Sequence, residues 1–265
     1  MSWRHRAISL LAICGLAASA SAQSRPAPPT SNPKAIAVAG KAMEALGGEA
    51  AWNNTHFLRF TFAVDRGGKT VVSRDHTWDK WTGRYRLEGV SKEGQKYVVL
   101  MNVNTKEGQA WSDGKAADGE DKKKLLEMAY GAWVNDSYWL IMPYKMMDPG
   151  VVLAYEGETK EGGAAWDKVR LTFDSVGLTP KDKYWAFVNR QTGLVDKWEY
   201  ILNGDPGPAV AFSWKDWARH GAILLASDRV SQQDDNDTRI HFPVLETPAS
   251  VPDRVFTSPD VVSAK

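Results

Sequence analysis

From His56 onward, apolar residues recur at every second position in short runs divided by turn signals, and this alternation constrains the fold more than any other feature. Leu58, Phe60 and Phe62 share one face of the first run. Runs over 69–79, 84–90, 95–103 and 107–115 follow. Arg66-Gly67-Gly68, Thr82-Gly83, Glu93-Gly94 and Asp113-Gly114 separate them. Such short connections force antiparallel hairpins, because a parallel crossover needs roughly a dozen residues, usually a helix. The pattern resumes over 151–158, 165–173, 181–190, 194–202, 209–217, 222–230 and 239–245. The expectation is about 11–12 antiparallel strands in an α+β protein that is mainly β.

Two segments break the alternation. Asn32 offers an N-cap and Pro33 a first helical residue. Ile36, Ala39, Met43 and Leu46 then recur at helical spacing until Gly47-Gly48. The second segment, 119–148, is an insert between the two meanders. Its first helical stretch closes near Trp133, and Asn135-Asp136-Ser137 is placed to cap a second helix over 138–147, which Pro143 should distort. Tyr138, Trp139, Leu140, Ile141, Met142, Tyr144, Met146 and Met147 make the second stretch apolar nearly all round, so it should touch more than one surface.

A large antiparallel sheet has an apolar face that must be covered. A second sheet would cover it, as in a sandwich; the two apolar helical segments suit instead a strongly curved sheet, a half-barrel closed over the opening helix and the insert, which leaves room for a cavity. The 12 Trp, 8 Tyr and 8 Phe fit a cavity lining. The candidate ligand-binding residues are Phe60 and Phe62, Trp139, Met142 and Met146 of the insert, and Trp185, Phe187, Trp198, Tyr200 and Trp214 of the later strands.

The remainder of the chain narrows the class of function. Arg4-His5-Arg6, an apolar run over 7–18 and Ala20-Ser21-Ala22 read as a secretory signal over 1–22. A Pro- and Ser-rich tether over 23–33 follows, then one domain over 34–257 and a flexible tail over 258–265. Cys14, the only cysteine, falls in the leader, which leaves the mature chain without disulfide, thiolate metal site or thiol nucleophile. Without Arg4 and Arg6, 31 basic residues face 32 acidic ones, a balance that does not steer the protein to nucleic acid. Nucleotide, hydrolase and zinc-protease signatures are missing from the sequence, and no cofactor is implied. His76, with Asp75 or Asp79, is the best acid–base candidate. Asp234-Asp235-Asn236-Asp237 lacks the glycine and closing glutamate of an EF-hand.

The order of elements resembles the LolA-like superfamily of periplasmic lipoprotein carriers and related lipid-binding proteins. The hairpin Asn189-Arg190-Gln191-Thr192-Gly193-Leu194 and the close Val251-Pro252-Asp253-Arg254-Val255-Phe256 carry that resemblance. Asn135 to Lys145, Met147-Asp148-Pro149-Gly150-Val151, Leu46-Gly47-Gly48 and Arg84-Tyr85-Arg86 look like an uncharacterised family of secreted bacterial proteins. The resemblance implies a half-barrel with a helical lid and a hydrophobic cavity. It also implies an inward arginine on an early strand, Arg59 or Arg74, that holds the lid closed. The function expected is a periplasmic binding or carrier protein for a lipid or lipoprotein acyl chain. An envelope interaction module with a self-filled core is the first alternative, and a secreted enzyme built on His76 the second.

Overall fold

The computed structural model of the protein describes residues 30–174, 178–233 and 237–260. The leader and most of the tether lie outside the described residues, as do Asp234 to Asn236. The last of the tether is held in place: Asn32 N donates to Leu153 O at 2.8 Å, and Ser31 Oγ accepts from Leu153 N at 3.1 Å.

Helix α1, Pro33–Ala45, opens the fold, with Asn32 Oδ1 accepting from the backbone N–H of Lys34 and Ala35. Gly47 does not end the helical region. It turns the chain at φ 116° into α2, Gly48–Asn54. A Cβ on Gly47 would sit 2.6 Å from Ala222 O, so this turn requires glycine twice over.

The first meander comprises β1 (Phe57–Arg66), β2 (Lys69–Asp79), β3 (Arg84–Val90), β4 (Lys96–Asn102), β5 (Gly108–Ser112) and the short β6 (Lys115–Ala116). After the insert come β7 (Val151–Glu161), β8 (Ala164–Phe173), β9 (Lys183–Asn189), β10 (Val195–Ile201), β11 (Val210–Ser213), β12 (Lys215–His220), β13 (Ile223–Val230), β14 (Arg239–His241) and β15 (Leu245–Glu246). A one-turn helix α4, Arg254–Thr257, follows.

All pairings are antiparallel. One sheet runs β12-β13-β14-β1-β2-β3-β4-β5-β6, with β15 also on β1, and the other runs β11-β10-β9-β8-β7. The two are halves of one curved surface. β11 and β12 were expected as one strand, and the chain bends at Trp214 so that one half joins each sheet. A bridge between Phe212 and Ser231, and a bond from Gln232 N to Ala211 O, stitch the corner. The extra strands beyond the expected count arise from such breaks and from the two-residue strands β6, at a sheet edge, and β15, on β1.

The insert is one helix, α3 (Gly119–Lys145), where two were expected. Asn135-Asp136-Ser137 does not cap anything: all three are buried in its middle. Every residue from Ala132 to Tyr144 is buried, as a helix apolar on all sides requires. Pro143 removes the N–H that would reach back one turn. The last turn is held where the single O–H of Tyr144 is shared between Leu224 O at 2.7 Å and Leu46 O at 2.9 Å, and Lys145 pairs with Asp148. α3 thus fills the concave side, and one contiguous core joins it to α1 and both sheets.

On the convex side, Arg86 donates to Val255 O at 3.1 Å, Ser258 O at 2.6 Å and Asp260 O at 2.7 Å. The first residues of the expected tail are therefore tied to the sheet. Val255 and Phe256 pack on Phe57 there.

Candidate functional site

The site begins with the register of β1 on β2. Phe60 faces His76 and Phe62 faces Arg74 across the ladder, so a period of two turns Phe60, Phe62, Arg74 and His76 to the concave face. The same period sends Arg59, Thr61 and Asp75 to the convex one.

Asp136 of α3 meets that row from above. Arg74 grips its carboxylate with two parallel bonds, Nε to Oδ2 at 2.6 Å and Nη2 to Oδ1 at 2.8 Å. Asn135 Nδ2 donates to Oδ1 at 2.8 Å. His76 Nε2 lies 3.1 Å from Oδ2, off the axis of a full hydrogen bond. The other imidazole nitrogen, Nδ1, is 2.7 Å from the Tyr85 hydroxyl, and the ring stacks on Phe60 at 4.3 Å. The tautomer with a proton on Nε2 satisfies both sides: Tyr85 O–H donates to Nδ1, and Nε2–H points at the carboxylate.

The electrostatics agree with that assignment. Burial opposes a charge on Asp136, but Arg74 and His76 outweigh it and hold the carboxyl below its ordinary range. Burial, with Arg74 beside it, keeps the His76 imidazole below its usual range despite Asp136. Burial pushes the Tyr85 phenol well up. The cluster is thus one carboxylate, one guanidinium and neutral partners, a net-neutral latch between α3 and β2.

Of the two arginines expected as lid anchors, only Arg74 touches the insert. Arg59 points to the convex face and pairs with Glu246 at 3.1 Å. The enzyme reading placed His76 with Asp75 or Asp79, and neither carboxylate meets it. Asp75 accepts from Thr61 Oγ1 at 2.5 Å on the other face, and Asp79 binds His56 and Arg84.

The expected lining separates in the same way. Trp139 inserts among Trp198, Phe212 and Tyr200, with ring centroids 4.4, 5.1 and 5.8 Å away, all edge-to-face. Phe60, Phe62, Met142, Met146 and Trp214 are buried in the same core. Trp185 and Phe187 are not part of it. Trp198 pairs with Ala186, so residues 185 and 187 face outward. Trp185 donates to Glu156 at 2.8 Å, and the ammonium groups of Lys168 and Lys197 lie over Phe187. Among the described residues, no group of three or more His, Cys, Asp or Glu is placed to hold a metal.

Among the buried ionisable residues that escaped the sequence reading, two face the concave side. Asp136 looked like a helix cap, although a lone acid inside an unbroken apolar stretch was the available signal. Arg229 looked like an ordinary strand residue. On β13 it is fully buried, with its guanidinium 3.9 Å from the Trp214 ring centre and 4.9 Å from that of Phe242.

Comparison with known proteins places this geometry in a known fold. No family model and no curated protein matches the sequence. A LolA superfamily protein from Nitrosomonas europaea superposes with a TM-score of 0.51 at 9% identity, covering 84% of this chain and 97% of that one. A DUF1329 family protein from Desulfovibrio piger gives 0.49 at 14% identity, covering 84% and 96%. The fold is LolA-like.

Proposed function

We propose that the protein is a periplasmic binding or carrier protein for a hydrophobic molecule, a lipid or lipoprotein acyl chain, which it takes up beneath α3. The observation that carries this reading is the attachment of α3. A helix that is apolar on every side fills the concave face, and its buried carboxylate is fastened to the sheet through Arg74. A permanent core element needs no charge at its centre, since apolar side chains of similar volume hold as well or better. A charged fastening suits an element that leaves and returns to one position. The LolA-like fold supports the same reading.

The mechanism is passive. α3 swings away, the alkyl chain takes its place against Phe60, Phe62, Trp198 and Tyr200, and burial contributes about 0.8 kcal/mol per CH₂. His76 serves as a spacer in the latch, shielded from solvent.

The second reading, an envelope interaction module, draws on the packing of Trp139 among Trp198, Tyr200 and Phe212, which leaves the interior filled by its own side chains. One experiment separates the two. The mature protein from Gln23 is made in the periplasm, purified without detergent and weighed by native mass spectrometry. It is then titrated with the neutral probe N-phenyl-1-naphthylamine, alongside Asp136→Asn. Extractable co-purified lipid, or probe uptake that rises when the latch is weakened, is the expected result. An unliganded mass with no uptake by either protein turns the assignment to the interaction module.

A further inference from the structure

Arg229 has a cation's surroundings with the anion missing. Its Nη1 donates to Ala226 O at 2.6 Å, while Nε and Nη2 have no acceptor among the described residues. The neighbouring acid, Asp228, is on the opposite face of β13 and holds Arg239 Nε at 2.6 Å. The indole N–H groups of Trp214 and Trp198, with ring centres 5.5 Å apart, also lack acceptors. The place is therefore walled by aromatic rings and rich in donors. Burial lowers the pKa to about 9, which leaves the guanidinium charged at neutral pH. An unpaired buried charge is among the costliest features a fold can keep.

The free edge has a defined shape. Nε and Nη2 are the same two nitrogens with which Arg74 grips the carboxylate of Asp136. An acceptor with two coplanar oxygens fits that fork. One unbalanced positive charge calls for a monoanion. Next to it, the Trp214, Trp198 and Trp139 rings form a continuous apolar path to the lid helix, with steps of 5.5 and 4.4 Å.

We infer that Arg229 is the headgroup site of the carrier proposed above: it binds the carboxylate of a single long alkyl chain through Nε and Nη2, and the chain runs along Trp214 and Trp198 into the space Trp139 vacates. This rests on the carrier reading and adds the ligand class, a long-chain monocarboxylate.

The test is calorimetric titration of the mature protein with dodecanoate, dodecanol, monododecyl phosphate and acetate, repeated on Arg229→Met and Arg229→Lys. Thermal melts and circular dichroism confirm that each variant is folded. Dodecanoate should bind the wild type best, and Arg229→Met should weaken it about tenfold or more, as loss of a charged hydrogen-bonded pair implies. Dodecanol should change by less than about twofold, since burial of its chain is unaltered. Arg229→Lys keeps the charge without the fork and should also bind dodecanoate less tightly than wild type. Equal binding of dodecanoate and dodecanol, unaffected by either substitution, overturns the headgroup site and leaves the carrier standing. Acetate binding as tightly as dodecanoate, or monododecyl phosphate binding tighter, overturns the ligand class. No binding of any alkyl compound overturns both readings.

Discussion

Arg74 and Arg229 face the same concave surface on either side of two phenylalanines. Arg74 lies 5.2 Å from the Phe62 ring centre, Phe62 meets Phe242 edge-on at 5.9 Å, and Arg229 lies 4.9 Å beyond Phe242. Their aromatic support is alike. What differs is Asp136. Beside a carboxylate, Arg74 keeps its proton more tightly than a free guanidinium, although burial opposes this. Without one in contact, burial outweighs the more distant charge of Asp228 and pulls Arg229 down. The same side chain is therefore a fastening at one end of the row and an unmet demand at the other. In the proposed carrier, the insert is held by the protein's own acid and the open fork of Arg229 takes the ligand's.

Removing the acid should make the two ends alike. Asp136→Ala leaves Arg74 as unpaired as Arg229 and should cost about 3–5 kcal/mol, the penalty for breaking a buried pair from one side. Urea unfolding measures it. The double variant Arg74→Met/Asp136→Leu, which removes both charges, should recover most of that loss. A single-variant cost below about 1 kcal/mol, typical of a solvated pair, would remove the distinction between the two arginines. In the opposite sense, Arg229→Met should stabilise the unliganded protein by about 1–4 kcal/mol, because it deletes a buried charge that has no partner. A destabilised Arg229→Met would mean that its stacking on Trp214 outweighs its desolvation.

This contrast was only half legible in the sequence. Alternation revealed the strands and the antiparallel pairing, because a residue's side of the sheet follows from its position parity; the half-barrel came from the need to cover the apolar face and from the resemblance. The same rule excludes Arg59 and admits Arg74, but it cannot say which face of a strand is the concave one until the registers are fixed. Trp185 and Phe187 failed for that reason: their parity relative to Trp198 depends on the Trp198–Ala186 register, which depends in turn on the irregularity between Val195 and Lys197. Asp136 was misread because a cap and a buried ion look the same to a local rule. Arg229 gave no local signal at all, since the absence of a counter-ion is a property of the whole neighbourhood.

The neutral histidine offers a gentler probe of the latch. Its folded pKa lies below the ordinary value of 6.5. Below that value the unfolded chain takes up a proton that the folded chain refuses, so stability is full above pH 6.5 and falls as the solution is acidified. The slope for one such group is about 1.4 kcal/mol per pH unit. Asp136, held below the ordinary aspartate value of 3.8, adds a further loss at lower pH, as the unfolded carboxyl protonates first. Urea midpoints between pH 7 and 5 should show the first loss in the wild type and lose most of it in His76→Gln. An unchanged slope would assign the acid sensitivity elsewhere, and the latch would then rest on Arg74 and Asp136 alone.

The smallest effect is expected from the other candidate anchor. Arg59 is one residue from Phe60 yet faces outward, with its side chain 26% exposed beside a Glu246 that is 49% exposed. Such a pair is screened by solvent and restricts two long side chains, so Arg59→Ala should cost no more than about 1 kcal/mol. It should also leave dodecanoate and N-phenyl-1-naphthylamine binding unchanged, since no contact joins it to α3. Arg74→Ala, on the concave face, should do the opposite on both counts. Parallel effects of the two substitutions on probe uptake would mean that the convex face communicates with the lid, and that sidedness does not separate the fastening from the surface.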